Sequence, residues 1–444
     1  MYSDSFTGLT YIVTCDLGGV CRGRAVPNVD SERWGREGTG WVPASIAMSP
    51  LGRIIEPNAF GVLGDLRLVP DATTRAEIPA VAGRPAVTLV LGDLVETDGR
   101  EWACSSRAFL RHAVADLAAE TGLTLLASFE HEFTLLDDSA DAGAGSGSGA
   151  GALAPLSLQS LRQVEPLGSE LVRALSHAGL RPETWHPEYG PHQWEITVGA
   201  TDAASAADRA ILVREVVRHV ADAHGRRVTF TPVPDDGVVG NGVHVHLSLR
   251  TGDGGSATSD PDAVDRLSPV AEMFVAGILR HAGALVALTA PSPVSAARFG
   301  PGRWSVDAAR AGYRDREAMV RICPILELPG CTPTDHLNIE YRAADATANP
   351  WLVLGVLIRA GLEGIRAQLP LPASSGAEAA GASAATPLPA SLAEALAALE
   401  ADETVVRWFP PELLATYLLI KHDEVRAADA DPVDTLRARY ARIY

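Results

Sequence analysis

Five glutamates and two histidines of this 444-residue chain stand out, because each lies in a strand-like setting where a charged group needs an explanation. In FEHEF, Phe129 to Phe133, Glu130 and Glu132 are two residues apart. On a strand they share one face, while Phe129, His131 and Phe133 take the other. Two like charges on one wall are costly unless a cation sits between them or one is protonated. HPEYGPHQWEITVG adds Glu188 and Glu195, and NIEYR adds Glu340. In HVHLS, His244 and His246 face one side, with Val243, Val245 and Leu247 facing the other. Taken singly, a Glu-x-Glu is most often a solvated face and a His-x-His most often structural.

The elements that must position these groups read as two domains, as expected for this length. YIVTCDL, the turn GGVCRG and RAVP open the chain as strands, followed by a Gly-rich loop to about Trp41. GDLRLVPD (64 to 71) and PAVTLVLGDL (85 to 94) are further strands bounded by Gly, Pro or Asp. They predict a small β-rich domain over residues 1–100 and a larger one over 101–444. From Ser105 the spacing of Phe109, Leu110, Ala113 and Leu117 predicts a helix with a Ser start and a Gly stop, leading straight into FEHEF. Helical patterns follow at 203 to 224, 263 to 288, 350 to 367 and 390 to 427, separated by the strands VTFTPV, GVHVHLSL and HLNIEYRA. The class is α+β rather than a regular βαβ alternation. Two segments poor in large apolar groups, 139 to 155 and 373 to 387, read as surface loops.

Composition excludes several functions. A net charge of −18 argues against nucleic acid as a main partner, because phosphate binding needs a basic footprint. No apolar run approaches the roughly 20 residues of a membrane helix, so a soluble, cytoplasmic protein without a membrane partner is expected. Cysteines 15, 21, 104, 323 and 331 lack paired zinc-site spacing and read as reduced thiols. Lys421 is the only lysine, so neither a lysine Schiff base nor a Walker-type phosphate loop is available unless Lys421 itself serves. Phosphate and carboxylate binding would fall to arginine, whose bidentate fork suits both.

The order Glu-x-Glu, Glu with Gln-x-Glu, His-x-His-x-Ser, an Arg-rich segment and Ile-Glu-x-Arg resembles the glutamine synthetase family. The match extends through DLGGVCRGRAVP, GDLRLVPD, ALTAPSPVSAARFGPG, DREAMVRICP and NIEYRAADATANPWLVLGVLIRAGLEGI. The resemblance implies a β-grasp amino-terminal domain and a catalytic domain with a funnel of strands lined by carboxylates. It implies that Glu132, Glu188 and Glu195 hold one divalent cation and Glu130, His244 and Glu340 a second, two per active site. Five carboxylates and one imidazole are hard donors that suit Mg²⁺ or Mn²⁺ better than zinc.

The chemistry so implied is ATP-dependent: the γ-phosphate passes to the γ-carboxylate of glutamate, and an amine attacks the acyl phosphate. The metals and arginines screen the anions. By motif position Arg298 and Arg342 would clamp the amino-acid carboxylates beside Gly240, Arg316 and Arg321 would face the phosphates, and His246 and Ser248 would lie beside the nucleotide. Assembly as a homododecamer of two stacked hexameric rings, with sites between neighbouring subunits, also follows from the resemblance.

Departures from the family pattern bear on the substrate. Val42 stands where glutamine synthetases have an ammonium-binding Asp, and Trp304 stands where their flap has a Glu. An aromatic ring can make a cation-π contact with an alkylamine but cannot deprotonate ammonium. This resembles the branch that joins glutamate to polyamines, ethanolamine or monoamines, with Asp65 as a candidate base. Val233, Val239 and Asn338 depart from the pattern near the nucleotide or donor. Two alternatives therefore stay open: glutamine synthesis from ammonium, and a catalytically silent homologue.

Overall fold

A computed structural model describes residues 8–137, 154–235, 237, 239–263, 265–300, 305–306, 308–332, 336–372 and 386–444. Trp304 and most of both low-complexity segments lie outside these described residues.

The first sheet contains β1 (Leu9–Cys15), β2 (Cys21–Pro27), β3 (Thr39–Trp41), β4 (Leu66–Pro70), β5 (Ala76–Ile78) and β6 (Val87–Glu96). Its order is β2-β1-β6-β4-β3, with β5 also paired to β6. Alternate residues such as Leu89 and Leu91 of β6, and Leu66 and Leu68 of β4, turn inward and are buried. The stretch expected as a Gly-rich loop contains a short helix, α1 (Ser31–Glu37), as well as β3. None of the α1 residues is buried, so there was no apolar period to read.

Helix α2 (Ser106–Thr121) starts and stops as expected. The Ser105 hydroxyl accepts from the Ala108 N–H, and Gly122 ends the helix in the left-handed region at φ 69°. Phe109, Leu110, Ala113 and Leu117 are its buried face.

Helix α2 leads into β7 (Thr124–Asp137), the spine of a 10-stranded sheet. The other strands are β8 (Pro182–Pro187), β9 (Gln193–Val198), β10 (Thr201–Asp202), β11 (Arg226–Thr229), β12 (Val243–Arg250), β13 (Ala308–Tyr313), β14 (Ala318–Ile322), β15 (Ile339–Tyr341) and β16 (Thr386–Pro387). The order is β16-β13-β14-β15-β12-β7-β9-β8, with β10 and β11 also paired to β7. This mixed arrangement is the expected α+β class.

The helices of the large part are α3 (Leu158–Gln163), α4 (Leu167–His177), α5 (Ala203–Ala223), α6 (Pro269–Arg280), α7 (Ala282–Thr289), α8 (Pro350–Arg366), α9 (Leu392–Ala401), α10 (Glu403–Val406), α11 (Pro411–Ala430) and α12 (Val433–Ile443). The pattern at 263 to 288 is therefore two helices, bent by 77° at His281, whose ring bonds Asp402 at 2.6 Å. Close packing fixes α6 against α8: a side chain at Gly277 would meet the Ala360 carbonyl at 2.0 Å. The pattern at 390 to 427 divides into three, because Asp402 caps α10 and Pro410 and Pro411 set the start of α11. Among the described residues, no single helix is long and apolar enough to cross a membrane.

Two buried polar groups tie the first sheet to the rest. Arg107 of α2 donates to Asp208 of α5 at 2.7 and 3.0 Å, to Asp93 of β6 at 3.0 Å and to Asp71 at 2.8 Å. Asn349 caps α8 through its side-chain oxygen, while its amide nitrogen donates to the carbonyls of Cys15 and Asp16 and to the Ser106 hydroxyl. Lys421 of α11 is fully buried, its Nζ 2.7 Å from Glu424 Oε1. The Tyr440 hydroxyl donates to the other oxygen of Glu424.

Candidate active site

Strand register brings the singled-out residues together. Glu130 pairs with His244, Glu132 with Glu195, His246 with Glu340, and Glu340 in turn with Arg321. Opposed residues of paired strands point to the same side, so β9, β7, β12, β15 and β14 present one continuous polar face. Its reverse is apolar: Phe129 and Phe133 are buried, Phe133 stacks on Trp185 at 5.8 Å, and Trp185 on Trp194 at 4.6 Å. That packing holds the strands that carry the acids.

On the polar face His244 is the hub. Its Nδ1 lies 3.0 Å from Glu130 Oε1 and 3.6 Å from Glu340 Oε1, and its Nε2 lies 3.9 Å from Glu132 Oε1. His246 Nε2 contacts Glu130 Oε2 at 3.2 Å. His186, opposite Glu195 in register, has its Nε2 3.0 Å from Glu188 Oε1 and 3.5 Å from Glu195 Oε1. Glu132 Oε2 accepts from the Gly242 N–H at 2.7 Å and from the Gln193 amide at 3.3 Å. Glu340 is held by Arg321 at 2.6 Å on one oxygen and by Arg342 on the other.

These carboxyls cannot all ionise together. Burial first, then the charges of Glu130 and Glu132, push Glu195 up to about 11. Burial also raises Glu132. Burial acts on Glu340 as well, but His244 and Arg342 outweigh it and hold that carboxyl down to about 2. Among the described residues, three groups each bring their potential ligand atoms within 4.8 Å of one another: Glu130–Glu195–His244, His186–Glu188–Glu195 and His246–Cys323–Glu340. The first two offer only carboxylate oxygen and imidazole nitrogen, which suit Mg²⁺ or Mn²⁺. A divalent cation would relieve the crowding that raises Glu195, so the donor set fits such an ion.

Residues 103–440 match "Glutamine synthetase, catalytic domain", and residues 5–102 match "Glutamine synthetase N-terminal domain". The chain belongs to the glutamine synthetase family. Members are carbon–nitrogen ligases that in general use ATP and divalent metal ions, and this chain is a ligase of that family. Among curated relatives it is 32% identical over 435 residues to "Gamma-glutamylpolyamine synthetase GlnA3" of Streptomyces coelicolor, covering 96% of this chain and 91% of that one. It is 31% identical over 400 residues to "Glutamine synthetase" of Thermococcus kodakarensis, covering 88% and 83%. A crystal structure described as a novel glutamine synthase homolog superposes with a TM-score of 0.90 at 39% identity, covering 98% of each chain. A GmaS/ADP complex gives 0.81 at 26% identity, covering 97% of this chain and 96% of that one.

Within this glutamine synthetase fold the other expected residues fall in varied places. Arg298 is buried and donates to the carbonyls of Arg342 and Ala344. Gly240 packs against it: a side chain there would meet Pro232 O at 2.3 Å and the Arg298 Cγ at 3.0 Å. Ser248, two residues past His246 on β12, is half-buried on the polar face. Arg316 is exposed in the turn before β14. Asp65 is exposed just before β4 and, among the described residues, has no side-chain bond to the carboxylate cluster. Val42 is 44% exposed and Val239 37%, whereas Val233 is buried. The Asn338 side-chain oxygen accepts from His246 Nδ1 at 2.8 Å.

Two residues on this face were not singled out from the sequence: His186 and Cys323. His186 and Glu188 repeat the two-residue spacing of Glu130 and Glu132, which is the signal that could have found it. Cys323 stands two residues after Arg321 and so on the same face, with its Sγ 3.6 Å from Glu340 Oε2.

Proposed function

We propose that this ligase forms a γ-glutamyl amide from glutamate and an amine larger than ammonia, with ATP as the activating co-substrate. The observation that carries the reading is the single polar face on which Glu130, Glu132, Glu188, Glu195, His244 and Glu340 converge. The preference for a larger amine is supported by Val42 and Trp304 at the positions of the ammonium-binding acids, and by the similarity to a γ-glutamylpolyamine synthetase.

In this reading Glu132, Glu188 and Glu195 would hold one Mg²⁺ or Mn²⁺, and Glu130, His244 and Glu340 a second. When bound, the two ions supply the positive charge that lets ATP phosphates and the glutamate carboxylate approach one another. Arg298 and Arg342, buried together beside Gly240, would orient the carboxylates of glutamate. Arg321 and the exposed Arg316 would balance the charge of the phosphoryl group in transfer, with His246 and Ser248 beside the nucleotide. The γ-carboxylate oxygen attacks the γ-phosphorus of ATP and ADP leaves; the amine nitrogen then attacks the acyl carbon, phosphate leaves, and the nitrogen gives up a proton. Val42 and Asp65, exposed on the small sheet, would face the site of a neighbouring copy in a dodecamer of two stacked hexameric rings.

The test is phosphate release from ATP with Mg²⁺ and glutamate across ammonium, methylamine, ethanolamine, putrescine, spermine and an aromatic amine. Release that depends on one of the larger amines, with ammonium inactive, is expected. Ammonium as the best acceptor would overturn the argument from Val42 and Trp304. No release with any amine would favour the silent homologue.

A further inference from the structure

The third group of ligand atoms differs in kind from the other two. His246, Cys323 and Glu340 bring a ring nitrogen, a thiol and a carboxylate oxygen within 4.8 Å of one another. Thiolate is a soft donor that favours zinc over magnesium, and three protein ligands with an open fourth position form a common zinc arrangement. The other thiols lie in different surroundings: burial pushes Cys15 and Cys104 up to about 12, and neither they nor Cys21 and Cys331 join a ligand group among the described residues.

The surroundings of His246 are built as for a ligand. Its Nδ1 meets Asn338 Oδ1 at 2.8 Å, and the Asn338 amide nitrogen donates to the His336 carbonyl at 3.1 Å, which orients the amide with its oxygen toward the ring. A hydrogen bond from Nδ1 to a carbonyl oxygen leaves Nε2 as the nitrogen that can take a cation. Asn338 is itself a neutral amide, so the group that orients the ring adds no positive charge to repel a metal ion. The main-chain N–H of Cys323 donates to the Asn338 carbonyl at 3.0 Å, which holds the cysteine beside the residue that orients His246.

We propose that His246, Cys323 and Glu340 form a binding site for zinc on the wall of the funnel, and that zinc bound there inhibits the ligase. Binding forms a Zn–S bond in place of the Cys323 S–H bond; that proton, and any carried by His246 Nε2, leave to solvent. Arg321 must release Glu340 Oε2, while Arg342 keeps the other oxygen. Zinc then withdraws Glu340 from the hard donor set and His246 from the nucleotide. The inhibition rests on the proposed function, but the binding does not.

Chelator-treated full-length protein is titrated with Co²⁺, a spectroscopic stand-in for zinc. The expected result is a thiolate-to-cobalt charge-transfer band saturating at one cobalt per chain, unaffected by Cys331→Ser, displaced by Zn²⁺ and lost in Cys323→Ser. Urea unfolding checks that each variant is folded, and Cys323→Ala replaces a Cys323→Ser that is not. In the phosphate-release assay with saturating Mg²⁺, Cys323→Ser should raise the inhibitory zinc concentration at least about tenfold. Absence of the band in the unsubstituted protein, its persistence in a folded Cys323 variant, or equal zinc inhibition of both proteins would overturn the proposal. If no amine supports phosphate release, the proposed function fails while the cobalt spectra still decide the site.

Discussion

Replacing Arg107 with Met removes a guanidinium that is only 8% exposed and shared among three aspartates. Its Asp208 partner is equally buried at 8%, whereas Asp71 and Asp93 are 28% and 27% exposed. Breaking a buried pair by deleting one partner costs about 3–5 kcal/mol, because the remaining charge is left uncompensated. The two more exposed contacts add about 0–1 kcal/mol each. The variant should therefore lose about 4 kcal/mol at neutral pH, read by urea unfolding. Asp208→Asn in the same background removes the stranded charge and keeps an oxygen for the Trp351 indole N–H, now 2.7 Å from Asp208, so the double variant should be about 2 kcal/mol more stable than Arg107→Met alone. Acid supplies a second check. Burial tends to raise Asp71, but hydrogen bonds from Thr73 and Arg107 hold its carboxyl below the usual range. Such a group adds stability above its unfolded value and loses it as pH falls through the folded one, so the cost of Arg107→Met should shrink in acid. A loss under about 1 kcal/mol at neutral pH, or a double variant as unstable as the sum of the singles, would refute the assignment of Arg107 as a tie between the first sheet and α5.

Other substitutions probe the site and its frame. Glu195→Gln should greatly reduce the stabilisation by Mg²⁺, which for a single site at 100 times its Kd is about 2.7 kcal/mol, measured as the shift in melting temperature with and without metal; an unchanged shift would remove Glu195 from the metal set. Asn349→Ala should cost about 3 kcal/mol by urea unfolding, about 1 for the lost cap and about 1 for each hydrogen bond withdrawn from the buried carbonyls of Cys15 and Asp16, the second of which keeps the Gly19 N–H. Lys421→Met should cost about 3–5 kcal/mol and be partly restored by Glu424→Gln, since the second change removes the orphaned charge; no restoration would mean that packing rather than charge is at stake.

The site was legible largely because strands have a period of two. Glu130, Glu132, His244 and His246 could be assigned to faces from spacing alone, and the register of β7, β9, β12 and β15 then joined the faces that spacing had defined. Spacing within one strand says nothing about which strand lies beside it, so the contact of Cys323 with Glu340 was not readable until β14 was seen next to β15. Helix existence was clear where a buried stripe recurred, as in α2. It was invisible in α1, which buries no side chain. Helix breaks at His281 and Asp402 escaped notice because apolar periodicity ran through them while the turns were fixed by distant partners.

The buried Lys421 has a chemical corollary. An acyl phosphate is an acylating agent, and the side chain it most readily modifies on a protein surface is an unprotonated lysine amine. Arginine, protonated at all ordinary pH values, is a poor nucleophile. Because the one lysine of this chain is sealed against Glu424 with no exposed surface, the protein offers no accessible side-chain amine to compete with the acceptor. If the proposed function holds, the acyl phosphate would find no lysine of this chain to acylate.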